Sequence, residues 1–173
     1  MAEHRIVLVG GGHSHVQVLR AFARQPEPLA KLVLVSDSLE APYSGMLPGH
    51  IAGRYPREAM HIDLAALSAR CGADVVPRAA VGIDRPERKV VLADGTRLPY
   101  DTLSLNIGIT PDLSSVTGAD RFALALKPIG RLLAKLEGAL GSGPPAKAPG
   151  RILVIGGGPA GVEVALALRA RLA

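Results

Sequence analysis

The chain has one cysteine, Cys71, so no disulfide can form within it, and nothing in its cysteine usage argues for an oxidising compartment. Tryptophan is absent and aromatic residues are few. Basic side chains outnumber acidic ones and leave a net charge of +5, but they stand singly or in pairs, as at Arg54, Arg57, Arg78, Arg85, Arg88 and Lys89. With no basic run and no interleaved aromatics, they read as solvated surface that mildly attracts polyanionic nucleotides. Nucleic acid is not an expected partner. No apolar run reaches the roughly 20 residues that a membrane span needs. The start, Met-Ala-Glu-His-Arg, lacks the basic and then apolar pattern of a signal peptide. The expectation is a cytoplasmic protein with no transmembrane segment.

What the chain does have is glycine, proline and short aliphatic runs. Apolar residues make up 48% of it, which suits an α/β protein whose Val/Ile/Leu-rich strands are buried on both faces. Residues 6–9 form such a run and end in Gly10-Gly11-Gly12. Val16, Val18, Leu19, Phe22 and Ala23 then fall at helical spacing, Pro26 and Pro28 stop the helix, and residues 32–35 form a second strand. This is one βαβ unit. Residues 42–57 lack clean periodicity and are rich in turn formers, which predicts a functional loop. Asp63 is placed to cap a helix reaching about Cys71, and Gly72 to end it. Residues 79–84, 89–93 and the segment around Leu98 are separated by Arg85-Pro86-Glu87-Arg88 and Asp94-Gly95, predicting a small antiparallel meander. Residues 102–106 predict a further buried strand that leads to Gly108. Pro128 can sit in the first turn of a helix to about Leu140. Residues 141–150 read as a linker. Beyond it come an apolar strand over 151–155, a second glycine turn and a helix.

The two glycine turns carry the chemistry. A dinucleotide diphosphate needs a tight turn, a backbone it can approach closely and a helix N-terminus aimed at it. Glycine, which has no Cβ, supplies the first two, and the unpaired N–H groups and partial positive charge of the helix end supply the third. The second turn has the full spacing Gly156-x-Gly158-x-x-Gly161, with Pro159 inside it and Glu163 just after. The first departs from it. Gly10 and Gly12 hold the first two glycine positions, His13 and Ser14 follow, and His15 stands where the third glycine would be. That position normally allows close helix–strand packing, so either the helix stands off or the imidazole turns away. The acceptor for a ribose hydroxyl, expected after the second strand, is Ser36 or Asp37, with Asp37 preferred. His13 and His15 point to different faces of a helix start, so no metal is assigned to them. His13 is better placed to bond a phosphate.

With both turns and the sequence between them, the chain resembles the pyridine nucleotide-disulfide oxidoreductase superfamily over nearly its whole length. Gly-Gly-Gly-His-Ser-His at 10–15, Tyr-Ser-Gly-Met-Leu-Pro-Gly at 43–49 and Lys127-Pro128-Ile129 resemble one subgroup. Its members are type II NADH dehydrogenase-like proteins found alone or fused ahead of selenide, water dikinase. The resemblance implies a Rossmann-like, three-layer FAD-binding fold with a small meander over residues 1–140, the 141–150 linker, and the first strand and helix of an NAD(P)H-binding domain over 151–173. It implies that the first turn holds FAD and the second NAD(P)H. Ser44 and Met46, within 43–49, lie against the isoalloxazine, and the backbone around Val81 meets the adenine. Asn106 and Gly108 flank Ile107, which replaces the family's threonine near FAD, and Lys127 either approaches the flavin or is a surface lysine.

The resemblance further implies an NAD(P)H oxidoreductase in which electrons pass through flavin to a small acceptor such as a quinone. Loop 42–57 has no cysteine, so the Cys-x4-Cys pair used to reduce disulfides is missing. No acid–base residue is assigned. The alternative is a non-catalytic nucleotide-binding or scaffold module. The resemblance also implies a truncated pair of domains, because the strand that in this superfamily returns to the FAD domain and the second NAD(P)H strand do not occur in the sequence. On that expectation the chain by itself binds FAD weakly or not at all and lacks turnover, and its segment from Arg151 onward docks on the parent domain or pairs with another copy.

Overall fold

The computed structural model describes residues 3–140 and 151–172. In chain order its elements begin β1 (His4–Val9), α1 (His13–Arg24), β2 (Ala30–Val35), β3 (Glu40–Pro42), α2 (Leu47–Ile51), β4 (His61–Asp63) and α3 (Leu64–Cys71). They continue β5 (Asp74–Val76), β6 (Ala80–Asp84), β7 (Lys89–Leu92), β8 (Arg97–Pro99), β9 (Thr102–Leu105), α4 (Ala119–Phe122), α5 (Ile129–Leu140) and α6 (Pro159–Leu172). The chain divides into two units: residues up to Ala41 with Ile62–Gly108, and Pro42–His61 with Ile109 onward.

The first unit is the three-layer α/β structure that the sequence predicts. Its parallel sheet has the order β5-β2-β1-β9, and β6-β7-β8 form a separate antiparallel sheet. Strands β1 and β2 pair in parallel with Val7 opposite Val33 and Leu8 opposite Leu34. Side chains alternate across a strand, so each aliphatic run serves two cores. Leu8, Leu32 and Leu34 pack with Val16 and Leu19 of α1 and Leu64 of α3. Val7, Val9, Val33 and Val35 pack with Val90 and Leu92 of the meander. A strand buried on both faces has no polar alternation, which is why these runs are continuous in the sequence.

Local chemistry sets the borders. Asp63 Oδ1 accepts from the Ala66 amide at 2.9 Å and caps α3. Gly72, at φ 68°, ends that helix in the left-handed region where a Cβ is disfavoured. In the meander, Asp94 is held from about 3.8 down to about 2 by the Thr96 amide first, then the Thr96 hydroxyl and Arg78. Its Oδ2 lies 2.5 Å from Arg78 Nε. A carboxyl whose pKa is depressed in the folded state contributes stability that is complete above its ordinary value and is lost as pH falls toward the folded value. Unfolding midpoints of the parent should therefore drop between about pH 4 and pH 2. Asp94→Asn should flatten that limb, and identical acid limbs in parent and variant would contradict the assignment.

The second unit has its own core. Leu47 and Ile51 of α2, Met60, Ile129, Leu132 and Leu133 of α5, and Val164, Ala167 and Leu168 of α6 form one buried cluster. The segment expected to be a functional loop over 42–57 therefore contains a helix. Leu47 and Ile51 are one turn apart and share a buried face, and Pro48 sits in the first turn. Neighbouring Ser44–Met46 and Arg57–Met60 are single 3₁₀ turns. Pro128 stands one residue before α5, and its carbonyl accepts from the Arg131 and Leu132 amides. The strand expected over 151–155 is not formed. Leu153 and Ile155 are each 80% exposed, and a strand exists only where a neighbouring strand takes its N–H and C=O groups. Among the described residues none lies beside it. The linker expected over 141–150 lies outside the described residues.

Candidate functional site

Strand β1 has β2 on one side and β9 on the other. The chain leaves β1 through α1 to one neighbour, while the other neighbour comes from the far end of the unit. A sheet whose order reverses in this way opens a crevice beyond the carboxyl ends of its strands. The first glycine turn lies there.

The turn can be followed bond by bond. Gly10, at φ 94°, donates its amide to Val35 O at 2.8 Å. Gly12 donates to Asn106 O at 3.2 Å. A Cβ on Gly12 would overlap the Asn106 carboxamide, and one on Gly10 would overlap the Asn106 carbonyl. Here the absent side chains make room for the end of β9. Among the described residues no acceptor takes the Gly11 amide. Helix α1 starts at His13 with no side-chain cap and no acidic residue in its first turn, so its partial positive charge is uncompensated there.

His15 is 1% exposed and faces into the protein. Its Nδ1 lies 2.7 Å from Gly10 O and its Nε2 2.9 Å from Ser104 Oγ on β9. The imidazole has turned away from the mouth of the turn. Both ring nitrogens are engaged by protein, so any part it has in holding a cofactor is indirect. His13 is partly buried and Ser14 exposed at the helix start. Beyond β2, Ser36 is 6% exposed and its hydroxyl donates to Ser38 O at 2.7 Å. Asp37 is exposed, which leaves its carboxylate as the accessible acceptor of the two.

Val81, on β6, is 64% exposed beside a register shift between Ala80 and Gly82. Gly108 has φ 74° and Ile107 is exposed. The remaining candidates belong to the second unit. Ser44 is exposed in its 3₁₀ turn, Met46 packs against the second core, and Lys127 is partly buried before α5. The second glycine turn is exposed at Gly156 and Gly158 and leads into α6 at Pro159. Gly156 has φ 106°, and a Cβ on Gly161 would overlap its carbonyl. The close approach that the third glycine permits is present there, and Glu163 is exposed one turn on. Among the described residues no group of three His, Cys, Asp or Glu gathers to hold a metal ion, and no helix is long and apolar enough to cross a membrane.

The sequence reading assigned no part to Gly11 or to Ser104 of β9; it placed Asn106 near FAD but did not anticipate that its carbonyl accepts from the Gly12 amide. A signal for Ser104 existed, since it is the polar residue between two leucines in a short strand expected to be buried; in the structure β9 is only partly buried, with Leu105 53% exposed.

No curated protein matches the chain. Among solved structures, the reduced CoADR-RHD of Bacillus anthracis is 24% identical with a TM-score of 0.82, over 99% of this chain and 32% of that one. Putidaredoxin reductase in its covalent complex with putidaredoxin is 26% identical, TM-score 0.74, over 98% of this chain and 41% of that one. NDH2 from Plasmodium falciparum, in complex with NADH, is 14% identical, TM-score 0.67, over 80% of this chain and 29% of that one. The chain thus spans about a third of the length of these structures. A family model matches residues 4–172, which takes in both glycine turns, and the chain belongs to the pyridine nucleotide-disulphide oxidoreductase family, whose members depend on FAD and NAD(P)H.

Proposed function

We propose that the first glycine turn takes the diphosphate of FAD and the second takes NAD(P)H, in an oxidoreductase that passes electrons from the nicotinamide to a small acceptor such as a quinone. The observation that carries this is the Gly11 amide, which no acceptor among the described residues takes, at the switch point of the sheet beside a helix N-terminus without a side-chain cap. Two features of the crevice fit an anion, a donor and a dipole, and an exposed acidic residue beyond the end of β2 suits the hydroxyl of the adjoining ribose. When bound, FAD supplies hydride acceptance and onward electron transfer, while the protein orients it.

Each residue then has a part. Gly10, Gly12, His13 and Ser14 shape the diphosphate site, Asp37 accepts from the ribose, and Ser36 supports the bend. Asn106 and Gly108 close the crevice at the end of β9, and the Val81 backbone meets the adenine. Ser44, Met46 and Lys127 belong to the flavin ring by the family resemblance. Gly156, Gly158, Pro159, Gly161 and Glu163 form the nicotinamide-nucleotide turn. Loop 42–57 holds no cysteine, and the Cys71 thiol donates to Ser68 O at 3.3 Å, which supports an acceptor reaction without a cysteine pair.

Equilibrium dialysis of FAD against the chain tests the reading. Weak but saturable binding of one FAD is expected, and Asp37→Ala should weaken it roughly tenfold through loss of a charge-assisted hydrogen bond. Non-saturable uptake, or an Asp37→Ala affinity equal to the parent's, would count against it.

A further inference from the structure

We propose that His15, at the third fingerprint position, is a positioning residue that aims the Gly11 amide at the diphosphate; this rests on the flavin reading of the same turn. Two of the three glycine amides point into the sheet, Gly10 to Val35 O and Gly12 to Asn106 O. The Gly11 amide shares its peptide group with the Gly10 carbonyl, and that peptide is trans. In a trans peptide the C=O and the following N–H point in opposite directions. Nδ1 of His15 holds Gly10 O at 2.7 Å from within the protein. The Gly11 N–H is thereby turned the other way, outward.

The same bonds assign the ring's tautomer. A carbonyl oxygen only accepts, so Nδ1 carries the proton, and Nε2 of the neutral ring accepts from the Ser104 hydroxyl at 2.9 Å. Ser104 stands opposite Leu8 in the register of β9 with β1, so the ring ties the start of α1 both to the turn and to the neighbouring strand. A glycine at position 15 would allow close packing but leave the Gly10 carbonyl without this donor. The imidazole fills the space and fixes the peptide instead.

NMR of the 173-residue chain tests the proposal. Long-range 1H–15N spectra should show His15 as the Nδ1–H tautomer. His15→Asn keeps an N–H donor near the Nδ1 position, and it should retain FAD affinity within about twofold and leave the Gly11 N–H direction, read from residual dipolar couplings, unchanged. His15→Leu should reorient that vector and weaken FAD roughly tenfold. Ser104→Ala removes the donor to Nε2 but leaves Gly10 O as the acceptor, so that variant should keep the Nδ1–H tautomer, and an Nε2–H ring in it would count against the proposal. An Nε2–H ring in the unsubstituted chain, or an unmoved Gly11 vector in His15→Leu, overturns the proposal. Should His15→Leu not fold, the Ser104→Ala tautomer and the His15→Asn vector decide. If the unsubstituted chain takes up no FAD, the flavin reading falls alone, and the tautomer and the Gly11 vector still decide whether His15 orients the peptide.

Discussion

Gly10→Ala is expected to destabilise the α/β unit by about 2–6 kcal/mol and to remove detectable FAD binding. Two effects add. At φ 94° an L-residue is strained, which costs about 1–3 kcal/mol. Its Cβ would also strike the Asn106 carbonyl and the Ile107 Cα. These are backbone atoms at the end of β9 and have no rotamer by which to yield, so overpacking adds about 1–3 kcal/mol more. Gly72 separates the two effects: its φ is 68°, but a Cβ there would meet nothing within 4 Å. Gly72→Ala should therefore cost only about 1 kcal/mol. Urea midpoints at unchanged m-value measure both. Equal losses in the two variants would show that the approach of β9 to the turn is unimportant.

Leu8→Ala should cost about 2–5 kcal/mol and lower the melting temperature by roughly 10 °C or more. Leu8 is 1% exposed and reaches both α1 and α3 across the helical face of the sheet. Truncation removes its transfer free energy and leaves a cavity between three elements that cannot all close on it. Val7, one residue earlier, faces the meander. Val7→Ala removes fewer atoms and should cost less, with its effect concentrated on hydrogen-exchange protection of β7 rather than of α1. A matching protection pattern in the two variants would contradict the division into two cores.

Much of the fold is legible because it is local. Continuous aliphatic runs at 6–9 and 32–35 mark strands buried on both faces, and Asp63 and Gly72 bracket α3 by capping chemistry that any helix of this kind needs. The short strands Glu40–Pro42, His61–Asp63 and Asp74–Val76 were not legible. Three residues carry too little periodicity to distinguish from loop, and such strands exist only because a partner supplies hydrogen bonds. The same cause makes 151–155 misleading: an apolar run is a strand only beside another strand. Helix α2 was hidden because one turn of helix, begun on a proline, is held by burial of Leu47 and Ile51 rather than by helix propensity.

By itself the sequence determined that two glycine turns stand each ahead of a helix and can bring backbone close together, since the freedom to take φ above zero and a missing Cβ are properties of the residues themselves. It could say that His15 breaks the pattern, but it left open whether the helix stands off or the ring turns away. Only the tertiary structure decided that, by bringing the Ser104 hydroxyl to Nε2 of the ring from 89 residues away in sequence. Hydrogen bonds are directional, and a side chain's direction depends on which groups the rest of the chain delivers to it.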